Sequence, residues 1–103
     1  MSDKLELSLN AMKHAVMKWR EAADHLATGR DRTPNLEIAA NQAGTFGRAL
    51  AEYEPAPGYF WDRLQEGVVV LNDIATVLEY AHNQYLAEEL ERQTQFTQLE
   101  GEL

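Results

Sequence analysis

The sequence predicts an all-α protein: an antiparallel helical hairpin with a broken first arm, in one domain spanning residues 1–103. Apolar residues repeat with a helical period through most of the chain. Only three prolines and six glycines occur in 103 residues, so most of the chain is free to be helical. The strongest interruption, EPAPG at 54–58, lies near the midpoint, where a turn would fold one helical arm back on the other.

The first helix is predicted over about residues 3–28. Its apolar residues step alternately by four and three, a repeat typical of a helix that packs lengthwise on another helix. These positions are Leu5, Leu9, Met12, Val16, Trp19, Ala23 and Leu26. Asp3, with Glu6 three residues later, is predicted as the N-cap with a first-turn acid, and Gly29 as the end of the helix.

A second helix is predicted over about 34–53, after the break in ATGRDRTP. Pro34 suits the first position of a helix, and Thr33 suits the N-cap before it. One side of this helix is formed largely by small residues, which would allow another helix to approach closely. That side comprises Leu36, Ala40, Ala43, Gly47 and Leu50, with Ala39, Phe46 and Tyr53 beside it.

The turn at 54–58 precedes a third helix, predicted over about 59–92. Its main apolar column again steps by four and three. The column contains Phe60, Leu64, Gly67, Leu71, Ile74, Leu78, Ala81 and Tyr85. A flanking column contains Trp61, Val68, Ala75 and His82. The repeat is lost in TQFTQLEGEL, so residues 93–103 are predicted to form a flexible tail.

Each arm carries two adjacent apolar columns, which is wider than the strip that one partner helix would cover. A small chain also buries only a limited fraction of its surface when it folds alone. We therefore expect two hairpins to pair into a four-helix bundle. The expected core and interface positions are Leu5, Leu9, Met12, Val16, Trp19, Leu26, Phe46, Phe60, Leu64, Leu71, Ile74 and Leu78. The alternative is a three-helix monomer in which segment 34–53 folds inward.

The net charge of −8 is unevenly distributed along the chain. Residues 1–52 contain seven basic and seven acidic side chains, whereas residues 53–103 contain Arg63 and Arg92 against ten acids. An acidic half of this kind repels phosphate groups, so we expect neither nucleic-acid binding nor binding to an anionic membrane surface.

Other sequence features bear on where the protein acts. The absence of cysteine excludes disulfides and thiolate chemistry but leaves the compartment open. MSDKLELSLN lacks the apolar core of a signal peptide. The longest aliphatic run is Val68–Leu71, far shorter than a membrane span. We expect a soluble chain that, if it leaves the cell, does so without a cleavable leader.

Glu79-x-x-His82 is the spacing found in carboxylate-bridged metal sites of helical bundles. A di-metal site needs a second such motif and two further inward-facing glutamates, and the chain does not supply these at suitable positions. Glu21 and His25 are four residues apart rather than three. A small metal-binding bundle remains an alternative hypothesis. No catalytic constellation is evident, so we expect no cofactor, no metal and no enzymatic activity.

Tyr85-x-x-x-Glu89 places a tyrosine and an acid one turn apart near the end of the last predicted helix. Together with WREAAD at 19–24, Phe46-Gly47 in AGTFGRALAEY, and EGVVVLNDIATVLEYAHNQYLAEE, this pattern resembles the substrates of type VII (ESX) secretion systems of actinobacteria. The resemblance covers about residues 5–92, and within this group of substrates the sequence is similar to the EspC-like branch. GYFWDRL lacks the Trp-x-Gly of the main WXG branch, because Asp62 and Arg63 follow Trp61.

The resemblance implies a non-enzymatic protein that is cytoplasmic before export and is secreted as a folded helical dimer, with itself or with a homologous hairpin. It also implies that Tyr85 and Glu89 form part of an export signal, that Trp61 of a paired chain contributes the other part, and that the secretion ATPase reads both. The alternative is a cytosolic adaptor or chaperone-like partner of a larger secreted toxin or effector.

Overall fold

The computed structural model describes residues 2–39 and 44–102, of which 94% are helical and none lies in a β-strand. Helix α1 spans Asp3–Arg32, α2 spans Gly47–Tyr53 and α3 spans Ala56–Glu102. Two short 3₁₀ helices, Thr33–Leu36 and Gly44–Phe46, lie between α1 and α2. The all-α prediction is confirmed, and the two long helices are consistent with the predicted hairpin.

Helix α1 is capped one residue earlier than predicted. The Leu5 amide donates to Ser2 Oγ at 3.1 Å, and the Glu6 amide donates to the Ser2 carbonyl at 3.0 Å. Ser2 is therefore the N-cap, and the prediction of Asp3 in this role is wrong. Asp3 and Glu6 lie in the first turn instead, where the helix dipole favours carboxylates.

The predicted end of α1 at Gly29 is also wrong, because the helix continues to Arg32. A glycine ends a helix most readily in the left-handed conformation, and among the described residues only Gly44 has a positive φ. A Cβ at Gly29 would lie 3.9 Å from Leu64 Cδ1, so α1 is already packed on α3 at this point. Thr33 is buried and donates its hydroxyl hydrogen to the Arg30 carbonyl, so it is not the predicted N-cap.

The prediction of one continuous helix over 34–53 is wrong. The Glu37 amide closes a tight turn on the Pro34 carbonyl, and the Glu37 backbone is then extended. The Tyr53 hydroxyl donates to the Leu36 carbonyl and joins this turn to α2. Leu36 and Phe46 are exposed and Leu50 is buried. The predicted positions Ala40 and Ala43 lie outside the described residues.

Helix α3 is longer than predicted at both ends. The turn is confined to Glu54 and Pro55, and Pro57 lies in the first turn of α3, where its missing N–H needs no partner. At the other end the helix reaches Glu102, so the tail predicted over 93–103 is helical as far as it is described. This segment consists mainly of Gln, Thr, Leu and Glu, which are compatible with a helix, and it contains no proline.

The chain divides into two compact units, one within Met1–Arg20 and Asn72–Leu103 (unit 1) and the other within Glu21–Leu71 (unit 2). In each unit a segment of α1 packs antiparallel on a segment of α3. In unit 2, Gly67 permits the closest approach, because a Cβ there would lie 2.9 Å from Leu26 Cδ1.

Helix α3 buries parts of both predicted columns. Ala75 is completely buried, whereas Phe60 is 47% exposed and Tyr85 is 55% exposed. Val68 and His82 of the flanking column are half-buried, and the same is true of most of the main column, namely Leu64, Gly67, Leu71, Ile74, Leu78 and Ala81. On α1, Leu9, Val16 and Ala23 are buried.

Candidate functional site

Tyr85 and Glu89 lie on an uninterrupted part of α3 in unit 1. Tyr85 is exposed, and Glu89 is half-buried where it borders a shallow groove with Arg92, Gln93 and Phe96. The pair is one helical turn apart, so both side chains lie toward the same part of the helix surface. The tyrosine ring is therefore accessible on a rigid helix rather than beside a frayed tail.

Trp61, in unit 2, is held by a residue of α1. The Arg30 guanidinium lies 5.6 Å from the centre of a Trp61 ring, within the range of a cation–π contact. Arg30 also donates to Gln65 and pairs with Asp31 at 2.9 Å. Arg30 was not predicted as a contact of Trp61, because the predicted end of α1 lay before this residue.

Three consecutive aromatic residues begin the exposed surface of α3 in unit 2. Tyr59 and Phe60 contact edge-to-face with ring centroids 6.0 Å apart, and the Arg63 guanidinium lies 5.3 Å from the Tyr59 ring centre. Arg63 also pairs with Glu66 at 2.9 Å. Trp61 is thus part of a larger aromatic surface that uses arginine contacts to keep its rings in place.

Glu79 and His82 each contact a different neighbouring residue. Glu79 Oε2 lies 3.6 Å from Arg20 Nη2, and His82 Nδ1 lies 3.1 Å from Asn83 Oδ1. Both residues border a hollow that also contains Lys13. Across residues 2–39 and 44–102, no group of three or more His, Asp or Glu side chains is arranged to hold a metal ion. Nearby cations make this hollow a poor place for a further one.

One side of unit 1 is polar. On each helix, its residues come directly after a residue that faces the other helix. Residues of α1 and α3 on this side approach each other, as the contact between Arg20 and Glu79 demonstrates. We call this the polar side. It comprises Glu6, Asn10, Lys13 and Arg20 on α1 and Glu79 and Asn83 on α3. Two shallow hollows, both open to solvent, run along it.

The opposite side of unit 1 is richer in small and apolar residues, although Lys4 and Lys18, which directly precede Leu5 and Trp19, also lie there. On each helix, its residues come directly before a residue that faces the other helix. Both helices are right-handed and they run antiparallel, so the residues in this position on α1 and on α3 lie on the same side of the helix pair. We call this the apolar side. It comprises Ser8, Ala11 and Ala15 on α1 and Ile74, Val77, Ala81 and Tyr85 on α3. Val77 is 67% exposed and Tyr85 is exposed there, whereas Ala15, Ile74 and Ala81 are half-buried.

Comparisons with protein-family models, curated proteins and solved structures find no match to this chain. Within the described ranges, no helix combines the length and hydropathy needed to cross a membrane. Functional inference therefore depends on the two sides of unit 1 and on the exposed tyrosine.

Proposed function

We propose that the protein is a non-enzymatic substrate or secretion-associated protein of a type VII (ESX) secretion system, similar to the EspC-like branch, and that it is exported as a folded helical dimer. The apolar side of unit 1, with Tyr85 exposed at its end, is the observation that carries this proposal. In this proposal the protein is cytoplasmic before export and is then secreted.

Pairing is supported by the thin core of the chain. The described apolar residues that are buried are Leu9, Val16, Ala23, Leu50 and Ala75. No large side chain among the described residues is completely buried. A second helical hairpin on the apolar side would bury Val77 and Ile74 and would complete a four-helix bundle. Hydrophobic burial of this kind is the main favourable contribution to association.

Recognition by the export machinery is supported by the position of Tyr85. A protein exported without a leader has to be recognised as a folded object, and an exposed ring on a rigid helix is a suitable feature. Glu89 lies one turn further along, in the spacing of the type VII export motif. In the proposal, the secretion ATPase contacts this pair on one chain and Trp61 on the paired chain.

The test compares two tyrosines on the same helix in an actinobacterial strain with an active type VII system. Tyr85→Ala is expected to reduce the protein in the culture filtrate at least about tenfold, while the cellular amount rises. Tyr80→Ala is the matched control, because Tyr80 is also exposed on α3. Tyr85→Phe retains the ring and separates the role of the hydroxyl from that of packing.

Native mass measurement of each variant establishes that pairing is retained, so that a loss of export reflects recognition. Equal export of Tyr85→Ala and the unaltered protein would remove Tyr85 from the proposal. Complete retention of the unaltered protein in cells, together with co-purification of a larger secreted effector, would favour the adaptor function instead.

A further inference from the structure

A hollow in unit 2 lies where the chain passes from α2 to α3, and its volume is about 390 Å³. The buried side chains of Leu50 and Pro57 border it, together with the half-buried side chain of Tyr53. Glu37 and Glu54, both exposed, border it as well. We propose that this hollow, which we call the acidic hollow, binds an arginine side chain presented by a partner protein.

Hydrogen bonds fix the two glutamates of the acidic hollow relative to each other. The Glu37 amide donates to the Pro34 carbonyl at 3.1 Å and closes a turn. The Tyr53 hydroxyl donates to the Leu36 carbonyl, so it joins the residue before Glu37 to the residue before Glu54. The two carboxylate-bearing residues are therefore positioned before a ligand arrives, which reduces the entropic cost of binding.

Both carboxylates are available to a cation from outside the chain. Across residues 2–39 and 44–102, no lysine, arginine or histidine borders the acidic hollow, and neither Glu37 nor Glu54 takes part in an ion pair. Two carboxylates are a sparse ligand set for a metal ion. The apolar side chains that border the same hollow favour an organic cation instead.

The chemistry of the acidic hollow selects arginine among the basic side chains. A guanidinium is flat and has five N–H donors, so it can donate to two carboxylates while its face stacks on an aromatic ring. Tyr53 offers such a ring, and Leu50 and Pro57 offer apolar surface to the stem of the side chain. A lysine ammonium is a compact, strongly hydrated charge and makes less use of these surfaces.

The cation belongs to a protein rather than to a free amino acid. Free arginine carries its own carboxylate, which Glu37 and Glu54 would repel, whereas an arginine within a polypeptide has no such charge. Exposed ion pairs contribute little individually, so the arginine serves as one anchor within a larger contact. Ile38, which borders the hollow and is 46% exposed, extends that contact with apolar surface. The site depends neither on pairing nor on export.

Binding is tested by titrating the purified, nitrogen-15-labelled protein with the blocked peptide GSRSG while the backbone amide signals are followed by NMR. Saturable shifts are expected at amides within residues 36–38 and 50–58. The matched ligands are GSKSG, which keeps the charge, and the same peptide with citrulline, which keeps the shape without the charge. Each of them, and free arginine, is expected to bind at least about threefold more weakly than GSRSG.

Two variants each remove one carboxylate from the acidic hollow. Glu37→Gln and Glu54→Gln are each expected to raise the dissociation constant for GSRSG at least about threefold, and the double variant about tenfold. Glu52→Gln is the matched control, because Glu52 is exposed on α2 and does not border the hollow. It removes the same charge, and the dissociation constant should change by less than about 1.5-fold. Unchanged amide signals away from the hollow establish that each variant is folded.

Three results would overturn the proposal. Equal weakening by Glu52→Gln, or shifts spread along the acidic residues of 72–103, would indicate a general attraction between a basic peptide and an acidic protein. Equal binding of GSRSG and GSKSG would overturn the choice of arginine. An absence of saturable shifts at residues 36–38 and 50–58 would remove the site altogether.

Discussion

The polar and apolar sides of unit 1 are built from the same two helices and flank the same contact, yet they differ sharply in chemistry. On the polar side, Arg20 and Glu79 approach to 3.6 Å and remain in solvent. On the apolar side, Val77 is exposed and has the apolar neighbours Ile74 and Ala81, with Asp73 one turn away. A helix pair needs one inward column to hold together, so the residues on its flanks indicate what covers each flank: water on one side and protein on the other.

The largest expected effect comes from placing a charge on the apolar side. Val77→Glu would bury an unpaired carboxylate between the copies, and we expect the dimer dissociation constant to rise at least about tenfold, or about 1.4 kcal/mol. Sedimentation velocity over a concentration series measures this change. Helix content should be retained, because Val77 contributes little to the contact within the chain.

The control variant is Leu90→Glu, which makes a similar change on the polar side. Leu90 is 50% exposed and directly follows the half-buried Glu89, so it lies on the flank of α3 that carries Glu79 and Asn83. The dissociation constant of Leu90→Glu should stay within about twofold of the unaltered protein. If both variants dissociate equally, the distinction between the two sides is wrong.

A second effect, on stability rather than on pairing, is expected at the contact between α1 and α3 that separates the two sides. Ala75 is 0% exposed, so Ala75→Leu forces extra methyl groups between α1 and α3. Overpacking of this kind lowers the free energy of unfolding by about 1–3 kcal/mol. Urea unfolding at one fixed protein concentration measures it, because dimer stability depends on concentration.

Ala87→Leu is the matched control on the solvent-exposed surface of α3. Its free energy of unfolding should change by no more than about 0.5 kcal/mol. An unchanged unfolding midpoint for Ala75→Leu would indicate that the helices separate easily at this point, and that the pair is held together mainly by the second copy.

The sequence predicted the long helices because burial imposes a repeat, and Leu9 and Val16 follow that repeat closely. The sequence could not predict how burial is divided between the two adjacent apolar columns of α3. Large side chains suggested the column that contains Phe60 and Gly67, whereas the most deeply buried residue of α3 is Ala75 in the adjacent column. The end of α1 was missed for a similar reason: packing beside Leu64 outweighs the tendency of Gly29 to end a helix.

The candidate site was only partly predictable. Tyr85 was recognised from its spacing to Glu89, but its exposure was not predicted, because the repeat placed it in the main apolar column of α3. The sequence predicted that the apolar surface of each arm is wider than one partner helix would cover. It could not predict on which side of the helix pair the extra apolar surface lies, because that depends on the antiparallel arrangement of both helices. The contact of Arg30 with Trp61 joins residues far apart in sequence, and no local pattern indicates it.

The smallest expected effect is on the polar side, where Glu79→Gln removes the ion pair with Arg20. The two side chains are 42% and 54% exposed, so water screens their attraction, and we expect the free energy of unfolding to fall by less than about 0.5 kcal/mol. A double-mutant cycle with Arg20→Gln isolates the pair, and sedimentation measures the dissociation constant, which should not change.

A rise of tenfold or more would place Glu79 within the interface, because a solvent-covered residue on the far flank has no contact with the second copy to lose. The partner would then cover both sides of unit 1, and the polar hollows beside Lys13 would be part of the bundle rather than part of its surface.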